Sequence, residues 1–273
     1  MFTVCLLIGV AGTAVASGSR ELETKSDTVE ADAGERAFAS GFCRPATAAV
    51  SGGFEADPVV FGEPSPFFFL DGSLRSGGRS WPSEAANLGA IGGARGALTS
   101  FAYCRDERVK SKRVTVSVAP DETKTVSAKC KRGTKAISGG FDADDIGFAA
   151  GGPFFRISVS RRSGARRWEV RAANNGDETG ELTSQVNCRK GKGLKTHRRS
   201  TELDNDVFGL EAKCKRKQRI VSGGFAGPDF SGPEGLIPFA SMRVGKRGWR
   251  LAGLATGDAT VYAYCEKKVG GSH

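Results

Sequence analysis

The chain of 273 residues is 39% hydrophobic and 26% charged, which provides enough apolar material for a folded core. Glycine is unusually frequent, with 38 residues, and because it weakens helices and suits turns and bulges, a helical bundle is disfavoured. Lys and Arg number 40 against 30 Asp and Glu, which gives a net charge of +10, and only two His are available for metal binding or base catalysis. Length alone suggests one or two ordinary domains.

The first 16 residues have the features of a signal peptide. Their apolar stretch is too short to span a bilayer and ends in Ala14-Val15-Ala16, the small-x-small pattern that signal peptidase cleaves, although no Lys or Arg precedes it. Residues 17–36 are polar and lean acidic, which predicts a flexible leader. No later segment reaches membrane-spanning length, so we expect a secreted, extracellular protein without a transmembrane segment.

Three copies of one pattern then follow each other along the chain. Ser-Gly-Gly-Phe begins at Ser51, Ser138 and Ser222, each time with its Phe 11 residues after a cysteine. A Ser-x-Arg motif comes next, with a Trp six residues after the Arg, and a Thr precedes a closing Cys by five residues. Such matched spacing predicts three homologous repeats, at 37–106, 107–191 and 192–268.

Within the repeats, apolar and polar residues alternate with a period of two, which is typical of half-buried antiparallel strands. The clearest examples are 98–104, 113–118, 125–130, 157–160 and 168–173. We predict four to six strands per repeat and no helix. The fold class is therefore all-β, with the repeats arranged either as tandem small sandwich-like units or as a single pseudo-threefold body.

Cys5 lies inside the signal peptide, and the remaining cysteines form an even set that indicates a disulfide framework: Cys43, Cys104, Cys130, Cys188, Cys214 and Cys265. We favour pairing the first with the last cysteine of each repeat, because one strand then opens and one closes each unit. The alternative joins neighbouring repeats through Cys104–Cys130 and Cys188–Cys214 and closes a ring through Cys43–Cys265.

The order of Cys, Ser-Gly-Gly-Phe, Ser-x-Arg, Trp, Asn (Asn87 and Asn174) and a closing Tyr-Cys resembles repeats in exported proteins of high-GC actinobacteria, over about residues 37–268. Those proteins are largely uncharacterised, so the resemblance implies an exported all-β repeat and no particular activity. The sequence departs from the pattern at Asn187, which replaces Tyr, and at Ala255, which replaces Asn. Three antiparallel repeats are also similar in architecture to β-prism proteins such as jacalin-type lectins and vitelline membrane outer layer protein.

Each Arg of a Ser-x-Arg motif and the following Trp form a candidate binding spot, because an Arg stacked on a Trp could bind an acidic glycan. The pairs are Arg75 and Trp81, Arg162 and Trp168, and Arg243 and Trp249. We favour the alternative that each Trp anchors the core of its repeat. Ser-Gly-Gly could likewise bind an anion, but its place inside a strand favours a β-bulge or a close strand crossing.

Basic residues are concentrated in the second half of the chain, at 161–162, 166–167, 190–199 and 213–219. Such runs form either a solvated face or an anion-binding patch. Nucleic acid is a weak candidate partner, because aromatic residues are not interleaved with the basic ones and no nucleic-acid motif is present. The partners we expect are anionic cell-wall polymers or glycans.

The sequence indicates no catalytic residue, metal site or cofactor. It has no Gly-x-Ser-x-Gly, His-Glu-x-x-His or P-loop motif, and Asp142-x-Asp144 fails as an EF-hand because Ile146 occupies the fifth position. We therefore expect a non-catalytic binding protein of the cell envelope or extracellular space, whose ligand is an acidic polymer, a glycan or a protein. Two alternatives stay open: a structural envelope protein without a specific ligand, and a hydrolase with dispersed carboxylates.

Overall fold

The computed structural model describes residues 21–58, 65–89, 94–144, 152–229 and 234–268, and its regular elements there are all β-strands. Paired strands run antiparallel throughout the two sheets. The all-β class predicted from the alternating pattern is therefore confirmed. The predicted signal peptide at 1–16 lies outside the described residues.

The strands fall into three consecutive groups, the first of which begins ahead of the predicted repeat at 37–106. The first contributes β1 (Glu23–Ala31), β2 (Arg36–Phe42), β3 (Ala48–Ala56), β4 (Phe68–Ser73), β5 (Ser80–Asn87) and β6 (Gly96–Arg105). The second contributes β7 (Lys110–Val118), β8 (Thr123–Lys129), β9 (Thr134–Ala143), β10 (Phe155–Arg162), β11 (Arg167–Asn174) and β12 (Gly180–Lys190). The third contributes β13 (Lys195–Lys213), β14 (Gln218–Ala226), β15 (Gly235–Val244) and β16 (Gly248–Lys267).

The pairing inside a repeat has one plan. In the first repeat β6 pairs with β1 and β3, and β5 pairs with β2 and β4. In the second, β12 pairs with β7 and β9, and β11 pairs with β8 and β10. In the third, β13 and β16 are continuous, so their two halves take the places that separate strands hold in the other repeats.

The repeats are joined to one another in a ring. β4 pairs with β9, β10 pairs with β14, and β15 returns to pair with β3. The six-stranded sheet β2-β5-β4-β9-β12-β7 forms one face of the body, and the ten-stranded sheet forms the other two faces because β13 and β16 run through both. The protein is therefore a single pseudo-threefold body, the second of the two arrangements that the sequence left open.

Three hydrogen bonds from serine hydroxyl groups connect the repeats to one another in a cycle. The serine of each Ser-Gly-Gly motif donates to a backbone carbonyl of another repeat: Ser51 to Val221, Ser138 to Val50 and Ser222 to Ile137. Each acceptor lies at a register shift in its own strand pair. A bulge leaves one residue outside the regular ladder, so its carbonyl can accept the hydroxyl.

The disulfides are Cys43–Cys104, Cys130–Cys188 and Cys214–Cys265, which confirms the favoured pairing of first and last cysteine within each repeat. In the first two repeats the bond joins strands of different sheets, since Cys43 follows β2 and Cys104 lies in β6. All six cysteines lie toward one end of the body, which we call the disulfide end. The other end, where Asn87 and Asn174 terminate their strands, we call the asparagine end.

The prediction of a flexible leader at 17–36 is wrong for its described part. Glu23–Ala31 forms β1, which pairs with β6 over its whole length, and Leu22 is buried. Its polar sequence reflects its position, because β1 is the edge strand of its sheet and exposes most of its side chains. β1 takes the place that β7 takes in the second repeat, so the first structural unit begins ahead of residue 37.

Candidate functional site

The three Trp residues are core anchors. Trp81, Trp168 and Trp249 are each at most 2% exposed. Each indole N–H donates to the serine hydroxyl of the preceding Ser-x-Arg motif, at 2.9–3.1 Å. A ligand cannot reach rings that are buried so deeply, which agrees with the core-anchor alternative favoured from the sequence and argues against these rings as binding spots.

The arginines of the same motifs form hydrogen bonds from each repeat to the next one in the ring. Each guanidinium donates to a carbonyl just before the first strand of that next repeat: Arg75 to Val109, Arg162 to Leu194 and Arg243 to Leu22. Burial lowers the pKa of all three guanidinium groups. Their contacts are made inside the protein, so we assign them a structural role.

We call the contact between two successive repeats of the ring a joint. A tyrosine side chain contributes to two of the three joints. Tyr103 lies edge-on to Trp249, with ring centroids 5.7 Å apart, and its hydroxyl accepts the backbone N–H of Arg243. Tyr264 makes the equivalent contacts with the ring of Trp168 and the backbone of Arg162, and the Arg162 guanidinium lies 4.9 Å from the Tyr264 ring centroid. The cation–π contact predicted for Arg162 is therefore made with Tyr264, which lies beside the Trp.

The third joint has Asn187 where the other two have tyrosine. Here the side chain of Gln185 takes over: its carbonyl oxygen accepts the backbone N–H of Arg75, and its amide donates to the Arg75 carbonyl, both at 2.9 Å. Asn187 itself donates to Ser138 and accepts from Ser111. The departure from the repeat pattern is thus compensated by a neighbouring amide.

An ion-pair network lies at the disulfide end, built from residues that follow the closing cysteines. Glu266 accepts from Arg105 at 2.5 Å, from Arg219 at 2.6 Å and from Arg189 at 3.0 Å. Glu107 pairs with Arg105 and Arg189 as well. Burial alone would raise the pKa of Glu266, but the three guanidinium groups outweigh it and hold that pKa below its ordinary value. These arginines are neutralised inside the body.

A different set of cations surrounds a cleft of about 760 Å³ at the disulfide end of the second repeat. We call this surface the basic cleft and define it by Arg108, Lys110, Lys112, Lys131, Arg132 and Lys190. All six side chains are exposed, and among the described residues none of them makes an ion pair. They come from the start of β7, the turn between β8 and β9 and the end of β12, which the strand pairing brings together.

The same corner of the first repeat has the opposite charge. There a cleft of about 370 Å³ is lined by Glu21, Glu23 and Asp106. Glu23 faces Cys104 across the strands, as Lys110 faces Cys188 in the second repeat. The fold therefore does not require lysine at this corner, and the basic cleft is a property of the second repeat.

Charge is also separated along the axis of the whole body. The described turns and strand ends at the disulfide end carry many cations, although Glu21 and Asp106 lie there too: Arg44, Arg79, Arg108, Lys131, Arg132, Arg166, Arg167, Lys190, Lys192, Lys215, Arg216, Lys217, Lys246 and Arg247. The described turns at the asparagine end, together with the middle of the continuous strands β13 and β16, are mainly acidic: Asp32, Glu35, Asp57, Asp121, Glu122, Asp144, Asp177, Glu178, Asp204, Asp229, Glu234 and Asp258. Such a distribution steers an anion toward one end of the protein.

A groove of about 220 Å³ lies on the outer face of the six-stranded sheet. Phe38, Glu84, Asp142 and Arg113 line it, and Gly72 forms part of its floor. Phe42 lies on the same strand as Phe38, and the two rings are 63% and 56% exposed. We call this surface, with Phe42 included, the aromatic groove.

Part of this arrangement of charges could be predicted from the sequence. It predicted basic patches at 190–199 and 213–219, and the basic cleft contains Lys190. It did not select Lys110, Lys131 or their neighbours, although residues 108–113 contain four cations in six positions. Their common signal is position, since each lies close to a cysteine in the chain or opposite one in the strand register.

No protein-family model matches the chain, and no curated protein is significantly similar to it. The resemblance to exported actinobacterial repeats therefore stays a prediction. Within the described ranges, no helix has the length and apolar character needed to cross a bilayer. The three disulfides fit an oxidising environment, as is usual for extracellular proteins.

Proposed function

We propose that this protein is an exported, non-catalytic binding protein that holds an anionic polymer at the basic cleft. The observation that carries the proposal is the set of six exposed cations, without ion-pair partners among the described residues, around one cleft. In the buried network around Glu266, by contrast, the arginines are matched by carboxylates. Unmatched cations gathered in one concave surface are what an anionic ligand would neutralise.

A polymer suits this surface better than a small anion. Positive charge continues from the basic cleft into neighbouring turns at the disulfide end, for example at Lys192 and Lys215. A chain with many anionic groups can contact several of these cations at once, and each added contact raises the overall affinity. A structural envelope protein with no ligand gives no reason for charges to be concentrated at one end, so we do not favour that alternative.

The test is binding of inorganic polyphosphate and of hyaluronan to the purified chain at low and moderate salt. In the variant Lys110→Gln/Lys112→Gln/Lys131→Gln, we expect affinity to fall about tenfold or more at low salt, and salt to weaken the wild type in parallel because it screens exposed charges. The control variant Lys124→Gln/Arg199→Gln/Arg250→Gln removes the same charge away from the cleft and should bind nearly as wild type.

If the two triple variants lose the same affinity, the effect is due to net charge alone and the basic cleft is not the binding site. If neither polymer binds at low salt, the proposed function fails.

A hydrolase remains the second candidate, because the aromatic groove brings two carboxylates, Glu84 and Asp142, to either side of Gly72. Paired carboxylates are the usual machinery of glycosidic cleavage. Size-exclusion chromatography of hyaluronan after incubation with the protein separates the two functions. A polymer of unchanged length supports binding, whereas shortened chains that disappear in Glu84→Gln would favour hydrolysis.

A further inference from the structure

The pseudo-threefold body allows each surface residue to be compared with its equivalents on the other two faces. On the six-stranded face, one row across the strands reads Phe38, Glu84, Gly72 and Asp142. The equivalent row on the second face reads Thr125, Arg171, Val159 and Ala226, and on the third face Gly209, Ala252, Ala240 and Glu55. An aromatic ring beside two carboxylates and a glycine is therefore found in one row of the three.

The two exposed phenylalanines are not needed by the fold. Phe42 corresponds to Lys129 in the second repeat and to Lys213 in the third, and both lysines are exposed. Strands in the same place thus tolerate polar residues at both positions. Two large apolar side chains that are more than half exposed on one face of a strand are available for contact with a ligand.

The groove beside these rings is polar, which restricts the kind of partner. Glu84 and Asp142 flank Gly72, where an added Cβ would stand 3.0 Å from an Asp142 carboxylate oxygen. On the far side Arg113 reaches the carbonyl of Arg75. Rings for apolar contact, carboxylates that accept from hydroxyl groups and a guanidinium that donates to oxygen together match a sugar, which has an apolar C–H face and polar edges.

The spacing of the rings and the position of the groove indicate a chain of sugars. Phe38 and Phe42 are four residues apart on one strand, or about 13 Å, which suits separate rings of a polymer. The other side of the groove adjoins the basic cleft at the edge strand β7, because Arg113 lines the groove and Ser111, two residues before it on the same side of the strand, lines that cleft. One extended ligand can therefore occupy both surfaces.

We infer that the anionic polymer of the proposed function is a polysaccharide, whose neutral sugar rings stack on Phe38 and Phe42 while its anionic groups lie in the basic cleft. This inference rests on the proposed function and adds the chemical class of the ligand. Neutral rings suit the groove because the carboxylates of Asp142 and of Glu84, which also pairs with Arg36 at 3.7 Å, can accept hydrogen bonds from sugar hydroxyl groups. Sugar units with and without charge in one chain match the two surfaces together.

The experiment uses the purified chain and compares hyaluronan, which alternates neutral and acidic sugars, with inorganic polyphosphate, which has no sugar. The variant is Phe38→Thr/Phe42→Thr, chosen because Thr125 stands on the equivalent strand, and the control is Val207→Thr/Val244→Thr, which removes two other exposed apolar side chains. We expect the phenylalanine variant to bind hyaluronan about tenfold or more weakly and polyphosphate as the wild type does. The valine control should bind both polymers normally.

Circular dichroism and the thermal midpoint verify that both variants are folded. Binding of polyphosphate alone, or equal hyaluronan affinity in wild type and phenylalanine variant, would overturn the inference and leave the proposed function standing. Absence of binding to either polymer would remove the proposed function and the inference together. Equal loss in the phenylalanine and valine variants would assign the effect to general surface hydrophobicity and would also overturn the inference.

Discussion

The two glycines of each Ser-Gly-Gly-Phe motif face different neighbours. A Cβ on the first glycine would lie 2.0–2.2 Å from a Trp ring carbon, and a Cβ on the second would lie 2.2–2.4 Å from a backbone carbonyl oxygen of an adjoining repeat. Neither neighbour can move away cheaply, because the ring is buried and the carbonyl belongs to a paired strand. The motif is therefore a point of close approach, as its position inside a strand had predicted.

Replacing Gly139 by Ala should destabilise the protein by about 3 kcal/mol, since overpacking of a tight core forces side chains and backbone to shift. The control is Gly193→Ala, because a Cβ at Gly193 meets nothing within 4 Å. Urea unfolding of the two variants measures the difference. Equal stability of the two variants would show that Trp168 can move aside.

Replacing Glu266 by Gln should cost about 3 kcal/mol at neutral pH, because three neighbouring guanidinium groups lose their shared carboxylate. Since the pKa of Glu266 in the folded protein is below its ordinary value of 4.5, the carboxylate stabilises the fold above that pH. Its contribution is lost as the pH falls through the lower folded value. The stability difference between wild type and variant should therefore shrink in acid.

Urea unfolding at about pH 7 and about pH 3 measures this difference. The control is Glu202→Gln, which removes an exposed carboxylate from β13. A penalty for the Glu266 variant that stays constant over this range would contradict the assigned role of its charge.

Among the elements, the edge strand β1 differs most from what its sequence suggests. β1 is polar enough to be predicted as a flexible leader, yet it is paired along its whole length. The reason is that an edge strand needs burial on only one side, while its partner satisfies the backbone hydrogen bonds. Leu22 supplies the missing signal, because it corresponds to Val109 and Leu194 at the starts of the other two repeats.

The disulfides stabilise the arrangement of strands, because each one connects strands of one repeat that are distant in the chain. Removing Cys130–Cys188 with the double variant Cys130→Ser/Cys188→Ser frees a loop whose ends are 58 residues apart, and the chain-entropy account predicts a loss of about 4 kcal/mol. Urea unfolding measures the loss, and non-reducing peptide mapping verifies the two remaining pairs. A change below about 1 kcal/mol would mean that the ring of strands alone constrains this repeat.

At the scale of the whole molecule, closure of the ring turns small differences between repeats into distinct surfaces. The same corner is acidic in the first repeat and basic in the second, and one face of three carries the aromatic groove. The separation of charge between the two ends of the body would orient the protein on an anionic polymer so that its disulfide end faces the polymer. The tests of the basic cleft and the aromatic groove therefore address different surfaces of one rigid body.

The all-β class can be predicted from the chain alone, and the disulfide pairing and the burial of the repeated Trp are the favoured ones among the alternatives that the chain leaves open, because alternation, matched spacing and cysteine count are visible in the order of the residues. The sequence did not show which residues would form the basic cleft and the aromatic groove. Lys110 and Lys131 are 21 positions apart in the numbering, and Phe38 lies far from Asp142, so only strand pairing brings each set together. The tertiary structure decided the closed ring as well, since the bonds from Ser51, Ser138 and Ser222 to other repeats leave no trace in spacing.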